Sequence, residues 1–323
     1  MSTLFSHFFT KINQIRPLET NFTEVLDGIA LKPKTLYFRG KMPENVVKAG
    51  KSVRPPAVAI VGSRHNTHYG EEIARDLAFR LAKKQVIIVS GLAYGIDSIG
   101  HRGCLEAGGT TVAVLGNPID KIQPSYHTSL AAEIIERGGA IISEYPPVDS
   151  KEPLAPGEFL DERGRRKICF KSSFLYRNRL ISALSDIVVV VEAGERSGSL
   201  NTATHALAQG KTVFAVPGNI TNPYSQGCNK LLQQGALVYT GPDDVLRELF
   251  PEDFLKKSAK TRKLTGDTEL ETAILTAIHQ GVRSGDEIMQ LATIPPELFN
   301  QTIILLEIKG RVRALGLNNW SLS

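Results

Sequence analysis

Short apolar runs alternate with helix-length segments through the middle of the chain. Seven such runs lie at 57–62, 86–90, 111–116, 140–144, 186–192, 212–217 and 236–240. Their β-branched composition and their length are typical of strands buried on both faces of a sheet. Strands that alternate with helices indicate βαβ units with right-handed crossovers. The pattern therefore predicts an α/β fold with a doubly wound, mostly parallel sheet.

The segments on either side of this alternation have a different character. Residues 1–50 show no sustained period and are interpreted as an irregular lead-in to a sheet domain at 51–250. Residues 251–266 are basic and lack an apolar period, which predicts a linker. Helical periodicity resumes in 267–323 and ends in alternating residues, so we predict a small three-helix domain with a β-ribbon wing.

Composition limits the classes of protein that fit. The chain has 323 residues, a formal net charge of +5 and a pI near 9.0, which permits a polyanionic partner without requiring one. Its three cysteines have no metal-type spacing. No apolar run is long enough to cross a membrane, so the sequence predicts a cytoplasmic protein without a membrane partner.

Small polar residues, glycine and arginine follow several predicted strands. Ser63 and Arg64 come after the first strand, Ser90 and Gly91 after the second, and Arg196-Ser197-Gly198 after the fifth. Ligands of open parallel sheets bind beyond the carboxyl ends of the strands. Helix N-termini at this edge attract anions, and glycine permits a close approach. An anion site at this edge of the sheet is the prediction.

A second group of residues leads into the fifth strand. Arg177, Asn178 and Arg179 open the helix that precedes it. Arginine is rarely buried without a partner, so either carboxylates or an external anion must meet these side chains. Because the sheet edge already carries anion-type residues, we expect both arginines to face phosphates. Arg64 reaches them only if the first and fifth strands are neighbours in the sheet.

Other chemistries find little support. The chain lacks the G-x-G-x-x-G spacing of dinucleotide sites, the P-loop, the G-x-S-x-G elbow and an H-x-x-x-H pair, so we predict neither a cofactor nor a metal. Acids near strand ends could act in catalysis, although such acids more often cap helices or hold arginines. They are Asp97, Asp120, Glu144, Glu192 and Glu195.

Four stretches of the sheet domain are, in chain order, "VAIVGSR", "SGLAYGIDSIGHRGCLEAGG", "RNRLISALSDIVVVVEAGERSGSL" and "VFAVPGNI". Together they resemble the DNA-processing protein A family (DprA, also called Smf). The resemblance covers about residues 45–250, and the tail from 267 resembles the winged-helix-like domain of many members. It implies an extended Rossmann-like fold that binds single-stranded DNA without sequence preference and protects it. It also implies a homodimer that helps load RecA in natural transformation and recombination, and that is not an enzyme.

The resemblance also assigns residues. Those implied to face DNA are Ser63, Arg64, Ser90, Gly91, Arg177, Asn178, Arg179, Arg196, Ser197 and Gly198. Aromatic neighbours that could stack on bases are Tyr94, Phe174 and Tyr176. A helical stripe of Val245, Leu246, Leu249 and Phe250 either packs on its own domain or forms a two-fold dimer contact.

The chain departs from the family pattern in four places. The segment "QPSYHTSL" at 123–130 stands where members often carry an asparagine and a lysine. The helical N-terminal domain of many members is mostly missing from 1–50. Residues 148–176 form a long insertion that either extends the DNA track or is a solvated loop. Its basic residues are Arg163, Arg165, Arg166, Lys167 and Lys171. The helix predicted at 296–308 carries Glu297 and Glu307 but no arginine, which favours a protein contact over DNA recognition.

Two alternatives remain open. One is a nucleotide-binding sensor that uses the same pocket without DNA. The other is a phosphoribohydrolase-like enzyme on the same fold, which would carry a P-G-G-x-G-T-x-x-E stretch. The corresponding place here reads "GERSGSLNTATHA", without the paired glycines or the following acid.

Overall fold

The computed structural model describes residues 11–48, 51–152, 154–162, 164, 166–251 and 266–322. The chain divides into two compact units, residues 1–250 and 251–323, here called the sheet unit and the C-terminal unit. No helix within the described ranges is long and apolar enough to span a membrane.

The sheet unit is built from thirteen strands and seven α-helices within its described residues. In chain order the strands are β1 (Asn13–Ile15), β2 (Leu36–Gly40), β3 (Val46–Lys48), β4 (Lys51–Val53), β5 (Ala57–Val61), β6 (Ile87–Ser90), β7 (Thr111–Leu115), β8 (Ala140–Ser143), β9 (Glu158–Leu160), β10 (Arg166–Ile168), β11 (Ile187–Val190), β12 (Thr212–Ala215) and β13 (Leu237–Val238). The helices are α1 (His68–Lys83), α2 (Ile96–Glu106), α3 (Thr128–Glu136), α4 (Phe170–Ala183), α5 (Gly198–Ala208), α6 (Gln226–Gln233) and α7 (Pro242–Leu249).

Nine strands form one sheet in the order β1-β2-β8-β7-β6-β5-β11-β12-β13. The seven strands from β8 to β13 in this order pair in parallel and coincide with the seven predicted runs, so the predicted α/β sheet is confirmed. The central strands β5, β6, β7, β8 and β11 are buried along their whole length. Helices cover both faces, which explains why these strands read as continuous apolar runs.

The lead-in is more regular than the sequence suggested. Strands β1 and β2 extend the sheet beyond β8, and both pairings are antiparallel. Phe22, Leu26 and Leu36 have no solvent exposure and belong to the main apolar core. The expectation of an irregular segment is therefore wrong here. The pairing of β2 with β8 joins residues about a hundred positions apart, and no local period reports such a contact.

The middle of the insertion forms a hairpin and its last residues belong to α4, so it is not a solvated loop throughout. Strands β9 and β10 pair antiparallel, and Arg166 forms an ion pair with Glu158 in which both side chains are buried. Arg166 also donates to the carbonyl of Ser150 at 3.3 Å, so it holds the hairpin to the preceding chain. Lys167 is exposed and lies 3.9 Å from Asp161. Arg163, Arg165 and the side chain of Lys171 lie outside the described residues.

The apolar stripe considered for a dimer contact is largely buried within the sheet unit. Helix α7 packs on α1, which leaves Val245 with 0% and Leu246 with 6% exposure. Leu249 and Phe250 are half-buried. Burial against its own domain therefore removes two of the four residues from any open surface, which agrees with the first of the two alternatives given for this stripe.

The C-terminal unit has the predicted three helices and wing. They are α8 (Glu269–His279), α9 (Gly285–Ala292), α10 (Pro296–Ile308), β14 (Val312–Gly316) and β15 (Asn319–Leu322). The two strands pair antiparallel, and Ile274, Phe299 and Leu306 belong to a separate core. The exposed side of α10 carries Glu297, Glu307 and several aliphatic residues. The interpretation of this helix as a protein contact stays a prediction.

Candidate nucleic-acid interface

The strand order brings the predicted anion-binding segments together. Strand β5 lies between β6 and β11, with Ile187 opposite Val58 in the parallel register. This confirms that the first and fifth predicted strands are neighbours. The loops that follow β5 and β11 therefore meet at the carboxyl edge of the sheet, where the N-terminus of α5 also lies.

A cavity of about 430 Å³ opens at this edge, and we call it the strand-end pocket. Seven of the ten predicted DNA-facing residues line it: Ser63, Arg64, Arg177, Asn178, Arg196, Ser197 and Gly198. The other three, Ser90, Gly91 and Arg179, do not. Asp97, Phe174, Leu175 and Tyr224 complete much of the wall, and of these Leu175 and Tyr224 carried no sequence signal.

Arg64 and Arg196 are the exposed cations of the strand-end pocket. Neither side chain has a carboxylate partner among the described residues. The guanidinium of Arg64 instead lies 5.6 Å from the centre of the Phe174 ring, a cation–π contact. The glutamates that could have paired with Arg64 are engaged elsewhere, since Glu192 accepts from the backbone N–H and hydroxyl of Thr67 at 2.8 and 2.6 Å. The pocket therefore presents two guanidinium groups to solvent.

Helix α5 begins at the wall of the strand-end pocket. Ser197 caps it, with its hydroxyl accepting from the N–H of Ser199 at 3.3 Å and lying 2.7 Å from the Ser199 hydroxyl. Asn178 donates to the carbonyl of Gly198 at 3.2 Å and so ties α4 to this turn. The positive end of the α5 dipole thus adds to the field of the two arginines. Together they favour an anion such as phosphate.

Arg177 forms the buried floor of the strand-end pocket. It is 4% exposed and donates to the carbonyls of Gly91, at 3.0 Å, and Val114. Burial lowers the pKa of Arg177 to about 10, and the carboxylate of Asp97 opposes that shift. Asp97 accepts from the N–H of Gly91 at 3.0 Å, and burial raises its pKa against the effect of Arg177. Arg177 and Asp97 therefore brace the loop after β6 together, since Arg177 donates to the carbonyl of Gly91 and Asp97 accepts from its N–H.

This bracing explains the glycine at position 91. A Cβ atom there would lie 2.6 Å from both Arg177 Nη2 and Asp97 Oδ2. Ser90 is also fixed inside the protein, with no exposure and its hydroxyl donating to the carbonyl of Ile60 at 2.6 Å. The serine and glycine after β6 thus hold the loop in place and lie behind the pocket wall.

Arg179 lies apart from the strand-end pocket. It is 2% exposed and donates to both carboxylate oxygens of Glu144, at 2.8 and 2.9 Å. It also donates to the carbonyl of Leu31 at 2.8 Å, and its guanidinium lies 3.8 Å from the Tyr176 ring centre. Positions i and i+2 of a helix point to different sides. The expectation that Arg177 and Arg179 turn to one anion is therefore not met by this geometry.

The three aromatic residues predicted to stack on bases also lie in different places. Phe174 lines the strand-end pocket, whereas Tyr176 packs under Arg179. Tyr94 is 47% exposed and lines an adjoining cavity of about 520 Å³, here called the outer pocket. The two pockets share Arg64, Phe174 and Arg196, so they form one continuous surface.

An extended Rossmann-like sheet with an arginine-lined pocket at its carboxyl edge, in a chain that also has a winged-helix unit, is the architecture of a Rossmann-like anion-binding protein. Residues 13–250 match the family model of DNA recombination-mediator protein A, and residues 258–316 match the DprA winged helix domain. The chain belongs to the DNA recombination-mediator protein A family, DprA.

Individual relatives show the same likeness. Protein Smf from Escherichia coli is 45% identical over 192 residues, which cover 59% of this chain and 46% of that protein. The chain thus spans about half the length of this relative and of the DprA relative from Mycobacterium tuberculosis. A crystal structure of DprA from Streptococcus pneumoniae has a TM-score of 0.58 at 32% identity, covering 77% of this chain and 78% of that one.

A second solved structure concerns the single-stranded DNA binding mode of DprA from Helicobacter pylori. It has a TM-score of 0.58 at 29% identity and covers 76% of this chain and 98% of that one. The chain thus shares its fold over about three quarters of its length with these two DprA structures.

Proposed function

We propose that this protein binds single-stranded DNA without sequence preference, protects it and helps load RecA in transformation or recombination in the cytoplasm. The observation that carries the binding proposal is the pair of exposed arginines, Arg64 and Arg196, beside the N-terminus of α5. Guanidinium groups suit phosphate oxygens in charge and in donor geometry. A pocket that binds phosphate without reading base edges accepts any sequence.

The predicted residues take two roles in this proposal. Arg64, Arg196 and the α5 turn at Ser197 and Gly198 contact the DNA backbone directly, and Phe174 offers a ring to a base. Ser63 and Asn178 shape the same wall. Arg177 forms the floor and also fixes the loop after β6. Ser90, Gly91 and Arg179 act from behind the wall, where Ser90 and Gly91 hold that loop and Arg179 fixes the underside of α4.

No catalytic step is part of the proposal. Three of the five strand-end acids are used inside the protein, since Glu144 binds Arg179, Glu192 binds Thr67 and Asp97 binds the loop at Gly91.

Gel-shift titration across salt concentrations tests the binding proposal. Oligothymidylate should bind more tightly than duplex DNA of equal length. Each arginine–phosphate contact on a single strand contributes about −0.7 to the slope of log K against log salt, so two contacts predict a slope of about −1.4 per chain. Equal or tighter duplex binding would contradict the proposal. An affinity that does not change with salt concentration would show that the protein does not contact the phosphates.

Self-association is the second part of the proposal, supported by the exposed edge of β13. Leu237 and Val238 are 44% and 51% exposed on this strand, at the end of the sheet order. An apolar edge strand is a template for pairing with another chain. Light scattering at tens of micromolar should show a dimer, and Val238→Glu should shift it to monomer. A monomeric wild type at that concentration would count against the dimer.

A further inference from the structure

An exposed aromatic pair extends the outer pocket. Tyr126, in the turn before α3, is 74% exposed and lies 6.3 Å from Tyr94 between ring centres, at an angle of 36°. Large aromatic side chains normally bury most of their surface, because that burial stabilises the fold. Tyr126 leaves three quarters of its surface in water and takes part in no hydrogen bond through its hydroxyl among the described residues. The Tyr126 ring therefore contributes little to the stability of the fold.

The pair stands on a fixed support. The ring of His127 is 3% exposed and lies 5.1 Å from the Tyr94 ring and 5.8 Å from the Tyr126 ring. Its Nδ1 donates to the carbonyl of Leu92 at 2.8 Å, since a carbonyl can only accept. This bond ties the turn at Tyr126 to the loop after β6. A ring held in place binds a ligand at a smaller cost in conformational entropy than a mobile one.

The aromatic pair continues the surface of the strand-end pocket. Tyr94 shares the outer pocket with Pro124, two residues before Tyr126, and with Arg64 and Phe174, which also line the strand-end pocket. Arginines therefore lie at one end of this surface and tyrosines at the other. Such an order, charged groups for the backbone followed by rings for the bases, is typical of single-strand binding surfaces.

We propose that Tyr126, with Tyr94 beside it, is a second base-stacking platform, which holds a nucleotide outside the strand-end pocket. The inference rests on the proposed binding of single-stranded DNA and adds the path along which the strand leaves the arginines. Because every base has a π-face, the platform accepts all four bases. Its ligand is the base, and the phosphates stay with Arg64 and Arg196.

The test combines variants with oligothymidylates that carry one abasic site at successive positions. Tyr126→Ala should weaken binding of the intact strand about fivefold to a hundredfold, the effect of one lost base–aromatic stack. Tyr126→Phe keeps the ring and should bind as the wild type does. Phe79→Ala, which removes an exposed ring that lines neither pocket, is the matched control and should have no effect.

The abasic scan identifies the contact as a stack. An abasic site at one position should lower the affinity of the wild type but leave the affinity of Tyr126→Ala unchanged. An abasic site at the position that lies in the strand-end pocket should lower the affinity of both proteins. If Tyr126→Ala binds like the wild type with the same abasic profile, the platform is wrong although single-strand binding stands. If the wild type itself binds no single strand, the proposed function fails first.

Discussion

Arg179→Ala should lower the free energy of unfolding by about 3–5 kcal/mol, the usual effect of removing one partner of a buried ion pair. The substitution leaves the carboxylate of Glu144 without the Arg179 Nη2 that donates to both of its oxygens, and the Glu144 side chain is only 10% exposed. Burial already raises the pKa of Glu144, and Arg179 opposes that shift. Chemical denaturation measures the loss.

Two controls separate charge from packing. Arg196→Ala removes an exposed arginine and should change the unfolding free energy by no more than about 0.5 kcal/mol. The double change of Arg179→Met with Glu144→Leu removes both charges and should be less destabilising than Arg179→Ala alone. If Arg179→Ala unfolds like the wild type but loses DNA binding, the structural role is wrong and Arg179 contacts phosphate.

Arg64→Ala should have the opposite profile. We expect single-stranded DNA binding to weaken by about 1.5–3 kcal/mol, the range for hydrogen bonds to charged groups. The salt slope should flatten by about 0.7, the contribution of one phosphate contact on a single strand. The free energy of unfolding should stay within about 0.5 kcal/mol, because Arg64 is exposed and has no carboxylate partner among the described residues.

The companion variant is Arg64→Lys. A lysine keeps the charge but loses the planar donor fork, so it should retain the salt slope while binding more weakly than the wild type. An Arg64→Ala protein that melts early yet binds DNA normally when folded would overturn the assignment. That result would show that Arg64 is part of the scaffold.

The parallel strands were predictable because each carries its own signal. A strand buried on both faces must be apolar at every position, as in β11, so its composition alone marks it. Strands β1 and β2 lacked such a signal. They are antiparallel and only partly buried, and β2 joins the sheet because distant residues of β8 pair with it. Whether such a segment forms a strand depends on the strand it pairs with as much as on its own residues.

The arginines of α4 show where sequence reasoning stopped. A helix before β11 was expected, but it begins at Phe170, so Arg177 and Arg179 lie in its middle and do not open it. Its 3.6-residue period already separates the two arginines by roughly half a turn. Which of the two faces the pocket depends on the carboxylates that the sheet places nearby. Asp97 comes from the start of α2 and Glu144 from the end of β8. Neither is near α4 in the chain.

The sequence by itself determined the α/β class, the winged C-terminal unit and the sheet edge at which Arg64 and Arg196 meet. All of these follow from periodicity and from strand–helix order, which are local or topological properties. Only the tertiary structure decided which polar residues face solvent and which brace the protein. Exposure depends on the side chains that packing brings within a few ångströms, so Arg64 is left open while Arg177 and Arg179 are enclosed by groups far away in the chain.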